Sequence, residues 1–331
     1  MKKLQTQMKK LPFVSGPMEI TNDDYHNGEQ YIKFCSSSEL KQLLISPMWM
    51  RYCQDNPKST IGVQAAQEGS AFHDVIAHKV NGTDFMDEVA IFEPPVNEKT
   101  MKPYGYESAK FKDALAACTY HNPGKVIYSQ KEIDLANTMI EHLLNGNPHL
   151  SKDVRYMIKH GKAEKSCFCE YQGAFFKFRP DLQTNSKIVD WKTCRHEDPK
   201  TDNWPRIVRD RGYGISAAFY QFFDFIITGK WKPFYWIAQE KEPPYDFNIL
   251  SADDYAYRIE KDGDHQIPIP GPDALKFQSL MEQYILCTEK NVWPGYSVFT
   301  EPDRFGRRIA TPKVPGWEKS RTVDFYNDKN K

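Results

Sequence analysis

Two short stretches decide the fold: Phe178-Arg179-Pro180-Asp181, and then Ile188-Val189-Asp190-Trp191-Lys192. Asp190 and Lys192 stand two residues apart in an apolar strand, so both side chains leave the same face. Asp181 ends the preceding strand, and eight residues separate it from Asp190. Two adjacent antiparallel strands would therefore bring both carboxylates within reach of one cation.

Clustered carboxylate oxygens suit Mg²⁺, with Mn²⁺ as a possible substitute. A metal held in this way lowers the pKa of a bound water, orients a phosphodiester and offsets charge on the phosphoryl oxygens. Lys192 would add a positive charge beside the attacking water and the phosphate. The alternative is a surface strand with alternating charges and one ion pair, since Asp and Lys are common residues.

The segments on either side indicate an α/β (α+β) protein. The strands at 166–171, 174–178 and 187–192 read as a β-meander, with a tight turn at Gln172-Gly173. A helical stretch at 201–228, an apolar strand at 234–239 and a helix at 273–290 follow. The N-terminal half is helical. Its helices are predicted after the capping box of Ser36 and Glu39, at 62–80, 105–118, 129–145 and 150–158, with a long connection over 81–104.

Length and composition place the chain among globular proteins. Its 331 residues, 40% hydrophobic and 27% charged, suffice for one large domain. We predict an N-terminal extension over 1–35, a single domain over 36–300 and a charged tail over 301–331. No window approaches 18 apolar residues, and the basic start Met1-Lys2-Lys3 lacks an apolar stretch behind it. We therefore expect a cytoplasmic protein.

Charge and cysteine usage exclude some classes of function. The formal net charge is zero, which argues against coating nucleic acid through global basicity but permits a local basic groove. Seven cysteines are scattered without a C-x-x-C pair, so a four-cysteine zinc or iron–sulfur site is not expected.

The pattern Pro180-Asp181, eight residues and Asp190-Trp191-Lys192 resembles the PD-(D/E)XK nuclease motif. More of the chain is similar to one branch, the RecE-type (exonuclease VIII-like) exodeoxyribonucleases, over about residues 36–300. Five further stretches match in order. They are Ser37-Ser38-Glu39-Leu40-Lys41 through Pro47, Gly69-Ser70-Ala71-Phe72-His73, Phe178-Arg179-Pro180-Asp181, Tyr213-Gly214-Ile215-Ser216 through Tyr220, and Trp293-Pro294-Gly295-Tyr296.

The resemblance implies a restriction-endonuclease-like core, a central mixed sheet flanked by helices. It also implies a metal site formed by His73, Asp181 and Asp190, with Lys192 as a further catalytic residue. Without the resemblance, a histidine such as His73, on the small-residue face of a helix, is more often a core residue with its hydrogen bonds made inside the protein than a metal ligand. One departure concerns Ser216, which stands where the family usually has Gln, four residues before Tyr220. Ser216 and Tyr220 are therefore supporting candidates, and Gln221 points about 100° away from Tyr220.

The resemblance further implies a 5′→3′ exonuclease acting on double-stranded DNA ends. Its product would be a 3′ single strand for a RecT-like single-strand annealing protein, and the enzyme would be a ring-like homo-oligomer, trimer or tetramer. Candidate DNA-binding cations follow the serine-rich helix start or surround the motif; they are Lys41, Arg51, Arg179, Arg195, Arg206 and Arg209. The alternative for the later arginines is a solvated helix face paired with Asp198, Asp202 and Asp210.

Two other functions remain open from the sequence. One is a different nuclease of the superfamily, an endonuclease or an end-trimming enzyme; its iron–sulfur form needs a C-terminal cysteine cluster, where only Cys287 is present. The other is a non-catalytic DNA-binding scaffold with a nuclease fold. Intact Asp181, Asp190 and Lys192 favour an active nuclease over the scaffold.

Overall fold

A computed structural model describes residues 16–18, 20–56 and 64–296, so the predicted tail over 301–331 lies outside the described residues. The helices are α1 Asn22–Asn27, α2 Ser37–Leu40, α3 Pro47–Asp55, α4 Gln64–Asn81, α5 Phe85–Glu88, α6 Ala109–His121, α7 Gln130–Asn145, α8 Leu150–His160, α9 Trp204–Arg211, α10 Tyr213–Thr228 and α11 Pro272–Lys290. The strands are β1 Gly16–Met18, β2 Val89–Phe92, β3 Val96–Asn97, β4 Lys102–Pro103, β5 Val126–Ser129, β6 Lys162–Ala163, β7 Ser166–Tyr171, β8 Ala174–Phe178, β9 Leu182–Gln183, β10 Ile188–Cys194, β11 Phe234–Glu240, β12 Phe247–Ser251, β13 Tyr257–Asp262 and β14 His265–Pro270.

The central sheet has five strands in the order β12-β11-β10-β9-β6. Strand β10 is parallel to β11, and β9 lies antiparallel on its other side. A turn closed by the Thr184 N–H bound to the Lys187 carbonyl (3.0 Å) joins β9 to β10. The predicted mixed α/β class is confirmed, and the catalytic motif strand β10 is central in the sheet.

Helices cover both faces of this sheet, because the apolar side chains of β10 alternate between them. Val189 and Trp191 pack with Phe72 of α4 and with the apolar faces of α7 and α8. Ile188 and Cys194 belong to the larger core on the other face, formed with α9, α10 and α11. The motif strand thus contributes buried side chains to both faces, and Asp190, Lys192 and Thr193 are its partly exposed residues.

Strands β7 and β8 form a hairpin, but the single meander expected from the sequence is wrong. They lie in a separate three-stranded sheet with β1, and only the short strands β6 and β9, further along the same hairpin, join the central sheet. The hairpin bends where Pro180, which has no N–H to donate, faces Glu164, whose φ is 53°. The Glu164 N–H still binds the Pro180 carbonyl (3.2 Å), so the two halves remain connected.

The described part of the predicted N-terminal extension packs on this hairpin. Strand β1 pairs with β7, and the rings of Tyr31 and Phe34 lie 4.3 and 5.5 Å from the ring of Phe168. The Cys35 N–H binds the Phe175 carbonyl (2.9 Å). The segment is held mainly by aromatic contacts, and its apolar residues do not recur with the period of a helix or a strand. Its sequence is therefore interpreted as an extension. The boundary at residue 35 stays a prediction.

Several sequence patterns that predict helix starts are confirmed, whereas some short strands were not predicted. Both capping boxes form, at Ser36 with Glu39 and at Ser129 with Glu132. Pro47 begins α3 as its first residue, where a missing N–H costs nothing. The expected connection over 81–104 contains short strands, of which β2 pairs with β5. The hairpin β13–β14 carries exposed polar side chains, and its sequence gave no clear strand pattern.

In the described residues no helix is long and apolar enough to cross a bilayer.

We predict that Phe34→Ala lowers the free energy of unfolding by about 3–5 kcal/mol, because Phe34 is 3% exposed and fills a site between Phe168 and Phe175. Urea unfolding measures this change. The control is Tyr120→Ala, whose side chain is 82% exposed and should change stability by less than about 0.5 kcal/mol. Equal stabilities of the two variants would show that the segment before residue 36 is not part of the folded unit.

Candidate active site

Three carboxylates stand in one row across three neighbouring strands. Strand β9 pairs Leu182 with Val189 of β10, so the next position brings Asp181 opposite Asp190. On the other side, β6 pairs Ala163 with Leu182, and the next position brings Glu164 opposite Asp181. Residues directly opposite on paired strands have Cβ atoms about 5 Å apart. The strand register alone therefore gathers Glu164, Asp181 and Asp190.

Glu164 is the residue of this row that the sequence analysis missed. A signal for it exists in the turn Gln172-Gly173, whose residues have φ values of 51° and 77° as a two-residue hairpin turn requires. The register that this turn sets pairs Tyr171 with Ala174 and, further down, Ala163 with Leu182. Its continuation brings Glu164 opposite Asp181. The left-handed backbone of Glu164 is uncommon for a residue with a side chain, and such residues cluster at functional sites.

His73 reaches the row from helix α4. Its Nδ1 lies 3.5 Å from Asp181 Oδ2, and the same oxygen accepts a hydrogen bond from the Trp191 N–H (2.6 Å). One turn before His73, Gly69 faces β10, where an added Cβ would stand 3.3 Å from Thr193 Oγ1. A larger residue at position 69 would press on the strand, so the glycine allows α4 to approach closely enough for His73 to meet Asp181.

Lys192 lies between a carboxylate and an aromatic ring. Its Nζ is 2.6 Å from Asp190 Oδ2 and 5.1 Å from the centre of the Tyr213 ring. Both Asp190 and Lys192 are largely buried, with side chains 13% and 21% exposed. A cation held against an aromatic face is stabilised by the electron density of the ring. Tyr213 thus helps Asp190 to hold the ammonium in position.

The pKa values show how crowded the negative charge is. Burial raises the pKa of Asp190 to about 6, with Lys192 opposing and Asp181 adding to the shift. Burial, followed by the charge of Asp181, raises the pKa of Glu164 to about 8. Burial raises the pKa of Asp181 too, but the charge and hydrogen bond of His73 outweigh it, so its pKa falls to about 2. Like charges that cannot all ionise in a low dielectric need a compensating cation.

The imidazole of His73 supplies part of that compensation. Burial lowers the pKa of His73, yet the charge of Asp181 and its contact with the ring more than reverse this, and the pKa rises to about 9. The negative surroundings that favour a proton on the ring would equally favour a metal ion.

The donors fit a divalent cation. Among the described residues, one cluster offers three ligand atoms within 4.8 Å of one another, from His73, Glu164 and Asp181. Two carboxylate oxygens and one imidazole nitrogen suit Mg²⁺ or Mn²⁺, with Asp190 next in the row. A bound cation would supply Lewis acidity and a more acidic water at this position. The chain's own contribution is to hold the donors and to keep Lys192 beside them.

Helix α10 follows the motif strand in the chain, and its polar residues have different roles. Tyr220 lines a cavity beside the row, and burial raises its pKa well above the usual range, with Asp190 and Asp181 adding to the effect. Gln221 points away, as expected, and binds the Lys232 and Tyr257 main chain. Ser216 is partly buried, and its N–H binds the Gly212 carbonyl. Gln221 is therefore a structural residue, Tyr220 lines the cavity beside the row, and the supporting role of Ser216 stays a prediction.

The predicted DNA-binding cations lie in different places. Arg179 lines the cavity beside Glu164, where it binds Ser166 Oγ and the Ile20 and Thr21 carbonyls. Lys41 and Arg209 line a second depression. Arg51 pairs with Asp55 (3.0 Å) and lines neither, while Arg195 and Arg206 are exposed on the surface near α9.

Two depressions share Ser38, and one of them borders the row at Glu164. The serine cavity has a volume of about 370 Å³ and is lined by Ser36, Ser37, Ser38, Glu164, Lys177, Arg179 and Tyr220, among others. The basic groove has a volume of about 710 Å³ and is lined in part by Ser38, Lys41, Arg209, Arg211 and Lys276. Helix α2, which carries Ser38, contributes to the lining of both.

We predict that Glu164→Gln weakens binding of Mn²⁺ by at least about tenfold, because it removes one of the clustered anionic oxygens. His73→Ala should weaken it similarly without lowering the melting temperature by more than a few degrees, since its side chain is 26% exposed. Titration calorimetry measures both, with the exposed Glu98→Gln as control. Unchanged affinity in Glu164→Gln would remove this residue from the metal site, and a large fall in melting temperature would return His73 to the core.

We predict that Tyr213→Leu lowers kcat for phosphodiester hydrolysis about threefold to thirtyfold, while Tyr213→Phe retains it. The ring face, rather than the hydroxyl, contacts Lys192, and such contacts contribute about 0.5–2 kcal/mol. Phe225→Leu is the control for loss of a packed ring, since Phe225 stacks on Trp231 (4.6 Å) and lines neither depression. Equal losses in the Phe and Leu variants of Tyr213 would contradict the contact as the cause.

Comparison with solved structures shows the fold to be shared. The chain is similar to a protein from Eubacterium rectale described as a "putative exonuclease", with a TM-score of 0.50 and 16% identity, covering 90% of this chain and 96% of that chain. Among curated proteins, none matches the chain.

Comparison with protein families gives a match over residues 36–301 to the family described as "PDDEXK-like domain of unknown function (DUF3799)". Together with the solved structure, this match supports the PD-(D/E)XK superfamily and fold; the RecE-type branch stays a prediction. Because the matched segment covers most of the chain and contains Asp181, Asp190 and Lys192, the protein belongs to the PDDEXK-like domain family.

Proposed function

We propose that the protein is a divalent-metal-dependent exonuclease that hydrolyses phosphodiester bonds at the ends of double-stranded DNA. The observation that carries the proposal is the partly buried cluster of His73, Glu164 and Asp181 beside the Asp190–Lys192 pair. Acidic donors suit Mg²⁺, and Lys192 is placed where charge would build on a phosphoryl oxygen. A surface strand with alternating charges would not bury these groups.

The serine cavity supports action at a strand end. It shares Glu164 with the metal cluster and is lined by two cations, Lys177 and Arg179, together with serine hydroxyls. Lys177 Nζ binds the Tyr25 carbonyl (2.8 Å), and the Arg179 guanidinium lies over the Tyr25 ring. An ammonium has three donors, so the Lys177 contact with Tyr25 leaves donors for an anion, and Arg179 adds its positive charge to the cavity. A terminal phosphate has the charge and size for such a cavity, and a 5′ phosphate would give 5′→3′ digestion.

The finer parts of the proposal come from the resemblance to the RecE-type enzymes. They are Mg²⁺ as the working ion, a 3′ single strand as product, transfer of that strand to a single-strand annealing protein, assembly into a ring-like homo-oligomer, and work in the cytoplasm. The description of the similar solved protein as an exonuclease agrees with the activity.

The proposal predicts Mg²⁺-dependent loss of linear duplex DNA and survival of covalently closed circles. Asp190→Ala and Lys192→Ala should each lower the rate at least about a hundredfold, because each removes a charge from the reacting centre. Asp113→Ala and Lys112→Ala are controls of the same chemistry, exposed on α6. Gel electrophoresis of both substrates measures the rates, and label placed at the 5′ or the 3′ end reports the direction.

Each other outcome identifies a different function. Cutting of closed circles would indicate an endonuclease. Absence of hydrolysis with Mg²⁺, Mn²⁺ or any other divalent ion, in a folded protein that binds DNA, would indicate the scaffold.

A further inference from the structure

The basic groove is a second candidate binding surface, separate from the metal cluster. It lies where α2, the end of α9 and the start of α11 meet. Its volume of about 710 Å³ is within the range of pockets that hold small ligands, about 300–1,000 Å³. A groove of this size accommodates a short piece of a single nucleic-acid strand.

Positive charge prevails in the groove. Lys41, Arg209, Arg211 and Lys276 line it, against two carboxylates, Asp210 and Asp273. Arg209 is paired with Asp210 (3.2 Å). Arg211 and Lys276 are exposed, and within the described part of the chain no ion pair engages either side chain. Asp273 lies within electrostatic range of Lys276, but neither cation is held in an ion pair among the described residues, so both can contact an anionic ligand.

Lys41 connects the groove to the reacting centre. Burial and the charge of Lys192 lower the pKa of Lys41, while Asp190 acts in the opposite sense, so Lys41 lies within electrostatic range of both. Its Nζ donates a hydrogen bond to the Arg211 carbonyl (3.3 Å). Gly212 has a φ of 61°, and an added Cβ there would stand 3.0 Å from Lys41 Cδ. The glycine leaves room for the lysine chain to lie across the end of α9.

The groove also offers an aromatic surface. Tyr255 lines it, half-buried, with its ring 6.0 Å from Trp236 below. Surfaces that hold single strands commonly combine cations for the phosphates with an aromatic face on which a base stacks.

We propose that the basic groove binds the phosphodiester backbone of a single DNA strand on one side of the scissile phosphate. The inference rests on the proposed nuclease function and deepens it. The serine cavity shares Glu164 with the metal cluster, and it shares Ser38 with the basic groove, so a strand whose end lies in the cavity could continue along the groove. The groove carries the phosphates, and the cavity takes the end.

The test measures the binding of a fluorescent 12-nucleotide single DNA strand from the change in its fluorescence anisotropy. EDTA is present so that no hydrolysis occurs. The double variant Arg211→Ala/Lys276→Ala should bind roughly twentyfold more weakly at 0.1 M salt. Its slope of log K against log salt should fall by about 1.4, because each phosphate neutralised on a single strand releases about 0.7 counterion. The matched control is Lys152→Ala/Lys261→Ala, two exposed lysines that line neither depression.

Hydrolysis of a small phosphodiester, thymidine 5′-monophosphate p-nitrophenyl ester, separates the groove from the reacting centre. This ester fills only the centre, so both double variants should hydrolyse it at the wild-type rate, and their melting temperatures should match. Weaker binding with an unchanged ester rate supports the groove. Affinity and salt slope equal to those of the control would overturn it, as would a wild-type protein that does not bind the strand. A wild type that binds the strand but hydrolyses neither ester nor DNA would refute the nuclease function and leave the groove supported.

Discussion

Three carboxylates held in one row across neighbouring strands place the strongest constraint on this protein. Glu164, Asp181 and Asp190 are brought together by backbone pairing, which does not depend on whether their charges repel. In surroundings of low dielectric, such a row is unfavourable unless protons or cations neutralise it. The chain itself provides neutralising contacts of His73 with Asp181, of Lys192 with Asp190 and of Arg179 with Glu164.

The bend in the β7–β8 hairpin creates this arrangement and the cavity beside it. Above the bend, β7 and β8 leave the central sheet and are covered by the segment around Tyr25 and Phe34. Below it, β6 and β9 continue into the sheet and carry Glu164 and Asp181 to its edge. Arg179, next to the bend, ties the two parts together through Ser166 and the Ile20 carbonyl. The site is therefore stabilised by residues that precede the recognised motifs.

Helix α2 is short, yet it contributes to the lining of both the serine cavity and the basic groove. Its capping box fixes the start of the helix, and Leu40 anchors it in the main core. Ser38 lines both depressions. Lys41 lines the basic groove and lies within electrostatic range of Lys192 and Asp190. Substrate contacts on both sides of the scissile bond would thus depend on the position of a single turn of helix.

The sequence by itself determined the local elements and the pair Asp190 and Lys192, because a period of two residues fixes which side chains share a strand face. It also predicted the turn at Gln172-Gly173, whose register, followed along the hairpin, sets Glu164 opposite Asp181. Only the tertiary structure decided that His73 joins these carboxylates in one cluster, that Tyr213 contacts Lys192 and that Lys41 lies beside Gly212. These contacts link residues far apart in the chain, and they depend on how helices pack and where a hairpin bends, which no local pattern encodes.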